Sequence, residues 1–274
     1  MKDNVCVYVV TQSLLYMNMA YVSISMLRRH NQSIPVKVFF IKDGGELKTT
    51  NNQLDYSQVV SQVDPSSVET LSQYFVKELE ALNVEVITKS PHQHAPDFVH
   101  ANRMYIEELD EPNVFFIDSD TFILGDVGLI FDKYKDKDLT TLPAPWIKRV
   151  NNYQEISLKH FNCLDPFAGC LLLFRNHKSK IWARSVMPKI DEIVSNQDLL
   201  DWMNKENLFL IREEVALLGI IHSNNLNAGY FETIDCCQID NPDVNSSKVV
   251  HTFSQVWQSV YQQIFNTNIL PIKI

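Results

Sequence analysis

The chain has 274 residues, of which 45% are hydrophobic and 21% charged, and its formal net charge is -9. Such a composition can bury one large core or two modest ones and excludes disordered and collagen-like classes. The acidic balance argues against a general nucleic-acid binder, which needs a basic face to displace counterions. Glycine is scarce, with 7 residues, and no glycine-rich phosphate loop is present, so nucleotide binding through such a loop is not expected.

Residues 5–10 form a continuous apolar run that predicts a buried strand. Leu14, Met17, Val22, Ile24, Met26 and Leu27 then recur at roughly helical spacing and end at Arg28-Arg29-His30. Residues 36–41 read as a second buried strand, which completes the strand–helix–strand order of a parallel sheet. Residues 48–64 are polar and irregular and read as a mobile loop. A helix is expected over 67–82, a strand over 84–87, a turn over 89–95 and another helix over 97–109. Residues 114–117 are the next apolar strand. Further on, 139–142 and 168–174 are strand-like, and 177–193 is helical with Pro188 placed to kink it. Helical turns over 199–203, a short strand over 208–211, a helix over 213–222 and strands over 231–239 and 249–252 complete the reading. The expectation is one α/β domain over 1–274 with a central, mostly parallel sheet. Its two halves, 1–125 with regular α/β order and 126–274 with mixed order, belong to that one domain.

The strand over 114–117 runs into Asp118-Ser119-Asp120. On extended backbone, carboxylates two positions apart project to the same side. Two acids so placed repel each other unless a cation lies between them, and oxygen ligands suit magnesium or manganese, above all when phosphate completes the shell. The carboxyl edge of an open α/β sheet is where ligands bind. The plain alternative for an Asp-x-Asp is a solvated turn. The five cysteines include no Cys-x-x-Cys zinc spacing. Cys6 and Cys170 sit in apolar runs and read as small buried thiols, as in a reducing compartment. There is no signal-like segment and no apolar run near the ~20 residues that span a bilayer, so a cytoplasmic protein without a transmembrane segment is expected.

At this point the chain resembles the glycosyltransferases of the GT-A nucleotide-sugar-binding fold, nearest to family 8, the glycogenin and bacterial galactosyltransferase group. Val10, Thr11, Gln12 and Ser13 with Tyr16 look like that family's uridine-holding first-strand motif. Arg103-Met104-Tyr105 looks like its phosphate-facing basic residue, and Phe116 through Asp126 is similar to its Asp-x-Asp segment throughout. Phe167 through Asn176 resembles the strand after the sugar pocket, and Val249-Val250-His251 the late histidine of the metal shell. The landmarks keep family order over nearly the whole chain. The resemblance implies a UDP-sugar donor and transfer to a glycan, protein or small-molecule acceptor with retention of configuration. It also implies a Mn2+ (or Mg2+) ion held by Asp118, Asp120 and His251, with Ser119 and Arg103 at the nucleotide. No nucleic-acid partner is expected, and a homodimer is compatible with the reading.

Three positions depart from the pattern. Phe167 stands where the family usually has Asn against the donor sugar, Ser254 stands for the Gly after the histidine, and Trp257 stands where a Lys normally meets the diphosphate. Two sites compete for the catalytic carboxylate or amide. Asn196-Gln197-Asp198 fits the spacing but lacks a leading acid. Glu213 and Glu214 follow a predicted strand and open a helix, the context we prefer; their plain alternative is acids stabilising a helix N-terminus. Two rival functions are carried. One is a chain of this fold that has lost turnover, motivated by Phe167 and Trp257. The other is a haloacid-dehalogenase-type phosphatase, against which Asp118 is mid-chain and Phe122 takes the fourth position after it, where that motif has Thr or Val.

Overall fold

Asn4–Thr11 forms the first strand, β1, because β-branched and aromatic side chains follow one another there with no breaker, and Val5, Val7, Tyr8 and Val10 are buried. The helix that follows, α1 (Leu14–His30), ends on Arg28, Arg29 and His30, cations that complement the negative end of its dipole. Arg28 also donates to the carbonyls of Leu82 at 2.7 Å, Asn83 at 2.8 Å and Ile34 at 2.8 Å, which fastens the helix end to the chain at both places. The chain then forms β2 (Val36–Ile41), α2 (Pro65–Ala81) and β3 (Glu85–Lys89). The computed structural model describes residues 3–42, 65–95, 99–163, 165–208, 212–242 and 244–266. The predicted mobile loop over 48–64 and most of the predicted strand over 208–211 lie outside them.

One seven-stranded sheet runs in the order β3-β2-β1-β4-β7-β6-β8, with β4 (Asn113–Ile117), β6 (Leu139–Pro143), β7 (Phe167–Phe174) and β8 (Ala228–Tyr230). β1 pairs parallel to both β2 and β4, while β7 runs antiparallel to β4 and β6. The sheet is therefore mostly parallel and flanked by helices, as the α/β pattern predicts. β4 and β7 are buried along their whole length, as befits central strands covered on both faces. A second sheet of three short strands, β5 (Thr121–Ile123), β10 (Val249–His251) and β9 (Cys236–Gln238), lies alongside in the order β5-β10-β9.

Several local expectations change. The segment expected as a helix over 97–109 is described from residue 99 and is a 3₁₀ helix, Val99–Glu108. The strand predicted over 231–239 is shorter, Cys236–Gln238, because residues 233–235 turn and Asp235 is drawn to Lys133, Lys248 and Tyr134. Helices α5 (Tyr153–Phe161) and α9 (Ser254–Phe265) were not foreseen, nor were α3 (Gly128–Lys133) and the single turn α4 (Pro145–Lys148). Helix α6 (Lys178–Ser195) carries Pro188 inside it, as read, and α7 (Gln197–Lys205) and α8 (Arg212–Ser223) follow. All five cysteines are free, and Cys6 and Cys170 are buried. Among the described residues, no helix is long and apolar enough to cross a membrane.

Candidate active site

β4 ends at Ile117, and the chain leaves the large sheet there to enter the small one at Thr121. Asp118, Ser119 and Asp120 make the passage. They lie in a turn rather than on the extended backbone that the sequence suggested, because β5 must reverse against β10. The two acids still converge. Ligand atoms of Asp118, Asp120 and His251 all lie within 4.8 Å of one another. His251 closes β10, and its Nε2 is 3.2 Å from Asp120 Oδ1. Ser254 Oγ donates to Asp120 Oδ2 at 2.9 Å. Thr252 donates twice to the Asp120 carbonyl, from its amide at 2.9 Å and its hydroxyl at 2.7 Å. Ser119 is buried between the acids.

Burial opposes the charge of both carboxylates, and their partners then separate them. Asp118 is pushed up by burial and by Asp120, despite Arg103 beside it. Asp120 is brought down against burial by His251 and Ser254. Burial likewise opposes the imidazolium of His251, but Cys170 and Asp120 beside it raise its pKa well above the ordinary value. Two carboxylates and an imidazole in one buried cluster are a donor set that suits Mn2+ or Mg2+. His251 Nε2 and Asp120 Oδ1 face each other at 3.2 Å, so an ion taken up by the cluster would have to displace this contact.

Arg103 connects this cluster to a second one. Its Nη2 donates to Asp118 Oδ2 at 2.9 Å, and its Nη1 reaches Glu213 Oε1 and the carbonyl of Gly169, the latter at 3.3 Å. The guanidinium lies over the Phe116 ring, with its carbon 4.9 Å from the centroid, and is buried. Glu213 and Glu214 open α8, where the helix dipole favours negative charge. Burial would raise Glu213, but Arg103 and His100 lower it to about 2. Glu214 is raised to about 7 by burial, and the Gly169 amide, donating to its Oε1 at 3.1 Å, only partly offsets this. Among the described residues, Glu213 Oε2 and Glu214 Oε2 are buried without a hydrogen-bond partner, and the Trp146 side chain also favours the charged form of Glu214. Gly169 lets the two segments approach at this crossing, since a Cβ there would stand 3.0 Å from Glu213 Oε1 and would push that carboxylate by a few tenths of an ångström.

The other predicted residues fall as follows. Val10 is buried in β1, Thr11 and Gln12 are half-buried at its carboxyl end, and Tyr16 is exposed at the start of α1. β1 runs parallel to β4, so these residues share the sheet edge of Asp118. Gln12 Nε2 donates to Ser72 Oγ at 2.9 Å. Gln197 is exposed at the start of α7 and donates to Asp201 at 2.7 Å, while Asn196 caps that helix by accepting from the Leu199 amide at 3.2 Å. Neither residue has a described contact with the Asp118 or Glu213 clusters. Phe167 is buried, with its ring centroid 5.1 Å from that of Tyr230. Trp257 is fully buried in a stack between Phe122 at 5.8 Å and Tyr261 at 5.1 Å.

Sequence reasoning missed His100, whose Nδ1 is 2.7 Å from Glu213 Oε1. The available signal was its spacing, three residues before Arg103, which in a 3₁₀ helix places both on one face. It also missed Cys170 beside His251, and it took Ser254 only as a departure although Ser254 holds Asp120.

No family model matches the sequence, and no curated protein matches it. Solved structures do. The chain is similar to the galactosyltransferase LgtC in complex with donor and acceptor sugar analogues, at 13% identity and a TM-score of 0.52, over 90% of this chain and 86% of that one. Mouse xyloside xylosyltransferase 1 is similar at 10% identity and a TM-score of 0.50, over 93% and 92%. The glycosyltransferase GlyE of Streptococcus pneumoniae TIGR4 is similar at 14% identity and a TM-score of 0.51, over 93% of this chain and 60% of that one. At such identities the likeness is one of fold, and the fold is GT-A.

Proposed function

We propose that the protein is a metal-dependent glycosyltransferase that moves a sugar from a UDP-sugar to an acceptor hydroxyl with retention of configuration. The observation that carries the reading is the Asp118, Asp120 and His251 cluster joined through Arg103 to the buried Glu213–Glu214 pair. The first group suits a divalent ion on a diphosphate. The second offers two buried Oε2 atoms with no partner among the described residues, an acceptor on the charged Glu213 and a donor on the protonated Glu214, which suits sugar hydroxyls. The names of the similar structures, a galactosyltransferase and a xylosyltransferase among them, support the same class.

When bound, Mn2+ or Mg2+ supplies positive charge against the diphosphate that forms as the sugar leaves. Asp118, Asp120 and His251 would hold it, with Ser254 and Thr252 fixing Asp120 by its side chain and carbonyl. Arg103 aligns Asp118 and Glu213, and the charged Glu213 stabilises positive charge developing on the sugar ring. Glu214, raised to about 7, stays protonated in mildly acidic solution and donates a hydrogen bond to the sugar or to the departing oxygen. Thr11, Gln12 and Tyr16, at the same edge, hold the uridine. Residues 1–125 serve as the nucleotide half and 126–274 as the sugar and acceptor half. The donor is a hexose or pentose nucleotide, with glucose, galactose, xylose and N-acetylated sugars all compatible.

Calorimetry of UDP with and without Mn2+ tests the reading, followed by UDP release from a panel of UDP-sugars. Metal-dependent binding and release from at least one sugar are expected. Equal affinity in chelator overturns the metal site, and a larger thermal shift with GDP than with UDP overturns the uridine assignment. A second reading, a nucleotide-sugar-binding protein without turnover, is favoured by one observation. Trp257 is locked in an aromatic stack where the resembled family has a lysine at the diphosphate. It predicts metal-dependent UDP binding with no UDP released. A phosphatase would instead release phosphate from a monoester and leave UDP-sugars intact.

A further inference from the structure

Both donors that reach Glu213 converge on one of its oxygens. Arg103 Nη1 and His100 Nδ1 both meet Oε1, the latter at 2.7 Å, and among the described residues the buried Oε2 has no partner. A buried acceptor without a donor costs about 1–3 kcal/mol, so the arrangement makes sense where a ligand supplies the donor. Arg103 alone does not fix the carboxylate plane. It divides its donors among Glu213, the Gly169 carbonyl and Asp118, and so gives Glu213 a hold from one direction. His100 gives the second. Its side chain is 38% exposed where those of Arg103 and Glu213 are 8% and 6%, so it reaches Oε1 from the solvent side. Three residues per turn bring it to the same face of the Val99–Glu108 helix as Arg103. Gly169 leaves the space that Oε1 occupies.

We propose that His100 is a positioning residue of the sugar-facing site: its Nδ1–H clamps Glu213 Oε1 against Arg103, so that Oε2 is presented to a hydroxyl of the transferred sugar. This rests on the UDP-sugar reading above and deepens it. The imidazole is required as the tautomer, or the doubly protonated form, that carries hydrogen on Nδ1.

The experiment compares the full chain with His100→Ala, His100→Asn and His100→Gln. The Asn amide stands where Nδ1 stood, whereas the Gln amide reaches towards the place of Nε2. With a UDP-sugar that the wild type turns over, Ala and Gln should lower kcat by about 10–100-fold, the usual cost of a lost orienting partner. Their affinity for UDP with Mn2+ should be unchanged, and Asn should restore most of kcat. An Asn variant as slow as Ala, or an Ala variant as fast as wild type, overturns the proposal and leaves the transferase reading intact. Imidazole nitrogen NMR of the wild type supplies a readout independent of turnover. Hydrogen on His100 Nδ1 that is lost in Glu213→Leu is expected, and hydrogen on Nε2 alone overturns the clamp. If the wild type binds UDP with metal but releases it from no sugar, the transfer reading fails; the nitrogen spectrum then decides the clamp by itself.

Discussion

The Asp118/Asp120 turn and the Glu213/Glu214 helix start each bring two acids into the protein, and they settle the repulsion in different ways. In both pairs one member is ionised by dedicated partners and the other is discouraged from charging. Asp120 draws its partners from the C-terminal stretch, His251 and Ser254, while Glu213 draws on Arg103 and His100. The reluctant members differ more. Glu214 is buried with one backbone amide on Oε1, so protonation removes its charge and leaves Oε2 to a ligand. Asp118 retains 25% of its side-chain exposure and shares Arg103 with Glu213. A proton neutralises the glutamate pair, whereas the aspartate pair, with His251 beside it, presents the donor set of a cation site.

The largest test of that contrast is Asp120→Ala. It should abolish metal-dependent UDP binding and cut turnover by more than ~100-fold, since a direct ligand matters more than a supporting residue. Calorimetry in Mn2+ and in chelator reads it. Glu213→Gln and Glu214→Gln should leave UDP binding in place and lower sugar turnover by about 10²–10⁴-fold, the range of a lost acid–base or charged group. Gln197→Ala is the control, and if it is inactive while both glutamine variants are normal, the two sites must be exchanged.

Stability separates the pairs further. Arg103→Leu strands two carboxylates, one deeply buried, and should cost about 3–5 kcal/mol in urea unfolding. Glu214→Gln replaces a protonated carboxyl by an isostere and should cost far less at pH 5. The pH profile provides the finest test. Between the ordinary glutamate value of 4.5 and about 7 only the folded chain keeps the Glu214 proton, so stability falls as pH rises through that window. The slope is up to about 1.4 kcal/mol per pH unit. Glu213 acts in the opposite sense: its contribution is present above 4.5 and is lost as pH falls towards about 2. Thermal melts should show a flatter curve for Glu214→Gln between pH 5 and about 7, while an unchanged slope would place the proton elsewhere.

Much of the large sheet was legible because β1, β2, β4 and β7 are covered on both faces and so read as unbroken apolar runs. The small sheet was harder. β5 and β10 have three residues each, too few to show a period, and what holds β5 is a partner more than 120 positions away. The Asp-x-Asp was legible as chemistry from local pattern, and His251 only through the resemblance. The Arg103–Glu213 contact joins residues 110 positions apart, and no local rule connects them. Trp257 was read for what it lacks, a positive charge. Its neighbours Phe122 and Tyr261 show what it does, which is to fill the space beneath the small sheet's first strand.

The passage of the chain between sheets at Asp118–Asp120 also has a mechanical meaning. Asp118 is continuous with the large sheet, since its N–H donates a hydrogen bond to the Cys170 carbonyl at 3.0 Å, and His251 belongs to the small one. An ion held by both would join the two sheets, and its binding energy would then also stabilise the docking of the smaller one. Opening of β5, β9 and β10 should therefore become rarer as Mn2+ is added, while the amides of β1 and β2 exchange at a rate that ignores the ion. Amide hydrogen exchange at graded Mn2+ would reveal this as a local melting unit whose latch is the ion itself.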